Sequence, residues 1–144
     1  MERAQVLIID ACVAVKWYVK EQMRDKALEL RDDYVSERVD LQAPSLILYE
    51  VANAIRYHPG STGVECAEAV RGLRTLGLAI HELDENLIDI ASNLAFSEKI
   101  TFYDAVYVAL AKKLQGTFIT ADEELLRQLG EETKKDAMLL IDYG

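Results

Sequence analysis

Four consecutive aliphatic residues, Val6, Leu7, Ile8 and Ile9, run without interruption into a single aspartate, Asp10. A strand that is apolar at every position, rather than at alternate ones, is buried on both faces. That is the condition of a strand in a parallel sheet covered by helices. Asp10 then falls at the carboxyl end of the strand, the edge of such a sheet where ligand crevices form. Parallel strands need crossovers, and the remaining sequence has the periodicity to supply them. Helices are expected over residues 12–19 and from 21 to about 39, where Met23, Ala27, Leu30 and Tyr34 recur at helical spacing. A short strand at 41–43 precedes Pro44 and Ser45, and Ser45 is expected to cap a helix over 46–57. The loop at 58–63, with Pro59, Gly60 and Gly63, reads as a turn between helices. Further helices are expected at 64–76, ending at Gly77, from Asp84 to about 97, at 103–115, ending at Gly116, and at 122–129. The remaining strands are expected at 78–81, 117–120 and 137–141. Five strands alternating with helices predict an α/β/α sandwich around a five-stranded parallel sheet.

The chain of 144 residues has the length of one domain, so residues 1–144 are read as a single unit. No stretch approaches the roughly 20 apolar residues of a membrane span, and the N-terminal apolar run lacks a cleavage site. A soluble, cytoplasmic protein with no membrane partner is expected. Cys12 and Cys66 show no zinc-ligand spacing, and His58 and His81 stand alone, which argues against a zinc site and against a histidine-pair ribonuclease. The net charge of -9 is the wrong sign for a broad nucleic-acid-binding face. It becomes compatible with a phosphate-bearing substrate if some of the acids hold divalent cations, which invert the local potential.

The most informative acids are those without charged neighbours. Asp10 is the only charged residue from Val6 through Val15, Glu50 from Gln42 through Ile55, and Asp104 from Ile100 through Ala111. A carboxylate in apolar surroundings loses hydration at a cost of several kcal/mol (order of magnitude) unless a partner offsets it. Helix capping is a sufficient account of Asp10, Asp104 and Asp122 taken one at a time. Glu50 lies more than a turn inside its helix and calls for a cation, with Lys16 and Arg56 as the candidate counter-ions within the chain. Convergence of Asp10, Glu50, Asp104 and Asp122 on one crevice explains more than four separate accounts do. An all-oxygen set selects magnesium or manganese over zinc, and such a site suits phosphodiester hydrolysis by a metal-activated water.

Four segments carry a family resemblance: VLIIDACVAVKW at 6–17, PSLILYEVANAI at 44–55, FYDAVYVALA at 102–111 and FITADEELL at 118–126. In this order they resemble the PIN-domain family, and most closely its VapC-type toxins of prokaryotic type II toxin-antitoxin systems. The resemblance implies a PIN-like fold with Asp10, Glu50, Asp104 and Asp122 as catalytic acids and metal ligands. It implies Mg2+ as cofactor, with Mn2+ able to substitute, and Thr120 as a supporting hydroxyl that orients water or a ligand. It also implies endonucleolytic cleavage of RNA, a homodimer and inhibition by a cognate antitoxin. Cys12 departs from the serine or asparagine common at its position, so a hydroxyl or amide contact is expected to be missing there.

Two other readings use the same residues. One is a PIN-fold binding or regulatory module with little catalysis of its own. The other is a phosphotransfer domain using Asp10 as nucleophile, which lacks the lysine and threonine set such folds pair with it. If RNA is the substrate, positive charge for its groove is expected from Lys16, Lys20, Lys112 and Lys113, and a dimer interface from Tyr18, Val19 and the neighbouring apolar helix faces.

Overall fold

A computed structural model describes residues 3–144. In chain order it contains β1 (Gln5–Ile9), α1 (Ala11–Ala14) with a 3₁₀ turn over Val15–Trp17, α2 (Arg24–Val35), β2 (Val39–Pro44), α3 (Leu46–Arg56) and α4 (Gly63–Thr75). There follow β3 (Ala79–His81), α5 (Glu85–Glu98), α6 (Phe102–Leu114), β4 (Thr117–Thr120), α7 (Glu123–Gln128), α8 (Glu131–Lys134), β5 (Ala137–Leu139) and a closing 3₁₀ turn over Leu140–Asp142. The strands form one sheet in the order β3-β2-β1-β4-β5. Every neighbouring pair is parallel. This is the expected five-stranded parallel sheet flanked by helices.

The uninterrupted apolar run forms the centre of that sheet. Leu7, Ile8 and Ile9 are each no more than 1% exposed, the burial that a strand covered on both faces requires. After β1 the chain builds β2 and β3 on one side, then crosses to add β4 and β5 on the other. The strand order therefore reverses between β1 and β4, and that switch point opens a crevice at their carboxyl ends. Ile9 stands opposite Ile119 in the register, so the next residue on each strand, Asp10 and Thr120, meet at the mouth of the crevice.

Local chemistry fixes the helices that surround it. On α3, Ile47, Val51 and Ile55 form a buried stripe at four-residue spacing, which sets the rotation of the helix and turns Glu50 toward the crevice. Helix α6 is buried continuously from Ala105 to Ala111, as befits a helix apolar all round. The Thr101 side chain accepts from the Asp104 backbone N–H at 3.0 Å and starts α6, while Asp84 does the same for α5 through Leu87 at 2.8 Å.

The structure corrects several local expectations. The segment expected as one helix over 12–19 is split into α1 and a 3₁₀ turn that ends at Trp17. The following helix stops at Val35, and Val39 begins β2 instead of extending the helix, because the tertiary pairing with Gln5 claims it. Ser45 makes no capping bond: its backbone is already helical and its hydroxyl donates to Glu82. Residues 140–142 turn into 3₁₀ geometry rather than continuing β5, and α8 was not expected. Val19 is buried, whereas Tyr18 is partly exposed and packs against Gly72.

Gly116 marks the tightest passage, between α6 and β4. A Cβ there would sit 2.7 Å from the Val6 carbonyl oxygen and 2.9 Å from its Cγ1, contact that a methyl group cannot make without moving β1. Gly116→Ala is expected to cost about 1–3 kcal/mol of stability in chemical denaturation. An unchanged midpoint would contradict this packing.

Candidate active site

Asp10 leaves the end of β1 as the N-cap of α1, and its carboxylate is 8% exposed. Its Oδ1 accepts from the Val13 backbone N–H at 3.2 Å and from the Cys12 thiol at 2.8 Å. Its Oδ2 accepts from the Thr120 hydroxyl at 2.5 Å. Thr120 is fully buried, and its Oγ1 in turn accepts from the Asp122 backbone N–H at 3.0 Å. One hydroxyl thus ties Asp10 to the turn that carries Asp122. Burial nonetheless raises the Asp10 pKa to about 6; the bonds from Cys12, Thr120 and Val13 oppose the shift, and the charge of Asp104 adds to it.

Glu50 is half-buried on α3, and its Oε1 accepts from the Tyr107 hydroxyl at 2.5 Å. Burial raises its pKa, the Tyr107 bond opposes, and Asp104 again adds. Asp104, in the first turn of α6, is raised by burial, opposed by the Thr101 hydroxyl and raised further by Asp122. Asp122 is solvent-exposed and caps α7 by accepting from Leu125 at 3.0 Å. The capping account of Asp10 and Asp122 therefore holds, and it does not exclude a second role. Asp104 is not its own cap, since Thr101 fills that place.

All four carboxylates line one cleft of about 590 Å³, together with Cys12, Glu21, Tyr49, Asn53, Tyr103 and Tyr107. Among the described residues none of the four acids forms an ion pair. Neither expected counter-ion reaches Glu50: Lys16 is buried against Glu21 at 3.0 Å, and the Arg56 guanidinium lies 5.1 Å from the centre of the Tyr57 ring. Lys113 is likewise engaged, with Asp84 at 2.6 Å, so neither Lys16 nor Lys113 stands free to line a substrate groove.

Unpaired, desolvated carboxylates that raise one another's pKa form a donor set for a hard cation. Among the described residues no three acidic, cysteine or histidine groups close into a ready metal cage. The set fits a divalent ion by its chemistry and convergence, and the side chains would have to draw in around one.

Two contributors were not anticipated. Tyr107 stands one helical turn after Asp104 and is 1% exposed; a buried tyrosine needs a partner for its hydroxyl, and that need was the available signal. Cys12 corrects the expectation of a missing contact. Its thiol supplies the bond to Asp10 itself, accepts from the Ala121 backbone N–H at 3.3 Å, and is held protonated because burial and then Asp10 raise its pKa.

Comparison with known proteins gives concordant matches. The PIN domain family model matches residues 7–131. Ribonuclease VapC3 of Pyrobaculum aerophilum is 35% identical over 124 residues, covering 83% of this chain and 91% of that protein. Exonuclease VapC9 of the same organism is 30% identical over 95 residues, covering 66% and 71%. In structure, the crystal structure of VapBC2 from Rickettsia felis bound to a DNA fragment from their promoter superposes with a TM-score of 0.66 at 12% identity, covering 93% of this chain and 96% of that one.

Two outcomes follow from the electrostatics. Protonation of Asp10 stabilises the metal-free fold: the contribution is complete below its ordinary 3.8 and is lost as pH rises through about 6, a swing of about 3 kcal/mol. In chelator at neutral pH, Asp10→Asn is expected to raise stability by about 1–2 kcal/mol once the weakened acceptor bonds are subtracted. Denaturation midpoints across pH 4 to 7 measure both effects, and a destabilised variant would contradict the charge argument. Tyr107→Phe is expected to weaken divalent-ion binding by calorimetry about tenfold, because Glu50 loses the group that orients it; unaltered binding would remove Tyr107 from the site.

Proposed function

This chain belongs to the PIN-domain family, and from that premise we propose that it is a VapC-type toxin, a divalent-metal-dependent endoribonuclease that hydrolyses RNA phosphodiester bonds with a metal-activated water. The observation that carries the reading is the convergence of Asp10, Glu50, Asp104 and Asp122, all without ion-pair partners, on one cleft at the carboxyl edge of the sheet. The relatives' names, a ribonuclease and an exonuclease, support nuclease chemistry. Internal cleavage is the reading adopted because the resemblance to VapC-type toxins implies it.

Asp10, Glu50, Asp104 and Asp122 would hold magnesium, with manganese able to replace it; a divalent ion bound there would supply polarisation of the phosphodiester and a lowered pKa for the attacking water. Thr120 and Cys12 keep both Asp10 oxygens oriented, so the ligand is set before the cation arrives. Tyr107 does the same for Glu50. Without a cation, the unscreened acids repel the substrate's phosphates, which makes RNA binding and metal binding cooperative. Hydrolysis by water is favoured over attack by the RNA's own 2'-hydroxyl, since neither His58 nor His81 lines the cleft.

The working unit is proposed to be a homodimer held in check by a cognate antitoxin, as the kinship with a VapBC pair suggests. Among the described residues no helix is long and apolar enough to cross a membrane, in keeping with a cytoplasmic setting.

Cleavage of a mixed structured RNA with magnesium, with manganese and with chelator tests the reading. Asp10→Asn and Asp104→Asn are each expected to leave less than about one hundredth of the wild-type rate while remaining folded. Full activity in Asp10→Asn would sink the assignment. Absence of cleavage by the wild type would favour a PIN-fold module that acts through its partner.

A further inference from the structure

Two of the cleft acids are each preceded by a tyrosine, Tyr49 before Glu50 and Tyr103 before Asp104. They lie on different helices, α3 and α6, yet both line the acidic cleft and also a second, apolar groove of about 250 Å³ that adjoins it. The two residues are 74% and 61% exposed, and together they begin a contiguous apolar patch of the kind that marks an interaction surface. Phe102 and Leu83, also exposed, continue the groove.

We propose that Tyr49 and Tyr103 form a stacking platform for unpaired nucleobases next to the scissile phosphate, and so select single-stranded segments of the substrate. The inference rests on the RNA reading above. The groove is lined by no lysine or arginine, and its two polar side chains besides the tyrosines are engaged elsewhere, Ser45 with Glu82 and His81 with Gln42, so its mainly apolar wall suits the uncharged faces of bases. The rest of the cleft compounds the need. With a net charge of -9, with Lys16 held by Glu21 and Lys113 by Asp84, and with no lysine or arginine among the described residues lining the cleft or the groove, cationic contacts beside the acids are few, and these are what usually supply affinity. Stacking on aromatic rings is the main alternative source, and it requires bases freed from a helix. Placement does the rest: both tyrosines line the acidic cleft as well as the groove, so the nucleotide next to a phosphate held among the acids comes within reach of their rings.

The test is equilibrium binding with calcium as the divalent ion, using four probes: short oligoadenylate carrying 2-aminopurine, oligouridylate, an RNA duplex, and an abasic ribose-phosphate oligomer. The wild type is expected to bind oligoadenylate most tightly and to quench 2-aminopurine fluorescence. Tyr49→Leu and Tyr103→Leu are each expected to weaken oligoadenylate binding about tenfold and to lose the quenching, with duplex and abasic binding unchanged. Tyr49→Phe and Tyr103→Phe keep the ring and are expected to bind as the wild type does. Leucine variants that bind oligoadenylate normally would overturn the inference, as would an equal loss on every probe. So would normal RNA binding with an altered oligomeric state, which would make the face a protein interface. If the wild type cleaves RNA with metal and the leucine variants match it throughout, only the platform fails. If the wild type neither cleaves nor binds any probe, the RNA reading fails with it.

Discussion

The hydrogen bond from Thr120 to Asp10 joins the ends of β1 and β4 at the point where the strand order reverses. The acids at the strand ends are placed by it or by the register behind it, and those on α3 and α6 converge on the same point. Ile9 opposite Ile119 brings the two residues level, and the same hydroxyl accepts from the Asp122 backbone, so a single buried side chain sets one acid and the turn bearing another. A shift of one residue in that pairing would send Asp10 and Thr120 to opposite faces of the sheet. The uninterrupted apolar strand prevents the slip, because every side chain of its inner half is buried.

What this frame positions is an electrostatic conflict. Five carboxylates line one cleft; Lys16 answers Glu21, and no basic side chain among the described residues pairs with Asp10, Glu50, Asp104 or Asp122. Burial and mutual repulsion raise the pKa of Asp10, Glu50 and Asp104. The hydroxyls of Thr120 and Tyr107 and the thiol of Cys12 relieve part of the cost by hydrogen bonding without neutralising the charge. Neutral donors of this kind orient a carboxylate while leaving its remaining lone pairs for a cation, whereas a lysine would compete with one. Stability is given up in the metal-free state for a site ready to bind.

Much of this was legible in the sequence because isolation is a physical signal. Asp10, Glu50 and Asp104 each stood alone in apolar stretches, the strands and the sheet followed from the periodicities, and the family resemblance rested on the four motif segments. What stayed hidden depended on tertiary choices. Val39 has as good a claim to a helix as to a strand until Gln5 pairs with it. Ser45 has a capping side chain, but its backbone is already helical and Glu82 takes the hydroxyl. Lys16 is close to Asp10 along the chain, yet Glu21 holds it. Tyr107 looked like a core residue and is one, whereas Cys12 is partly exposed on the cleft wall; each turns a polar atom to an acid. The sequence motifs marked the acids and Thr120, but not Tyr107 and Cys12, which also orient acids.

The central claim is that the acids gathered at the β1–β4 switch point act as one divalent-cation site. Titration of Mn2+ into wild type, Asp10→Asn and Thr120→Val, followed by electron paramagnetic resonance at fixed neutral pH, tests it most directly. The account predicts binding by the wild type, loss in Asp10→Asn, and affinity reduced about tenfold or more in a folded Thr120→Val. A wild type that does not bind Mn2+, or two variants that bind it as tightly as the wild type, would contradict it.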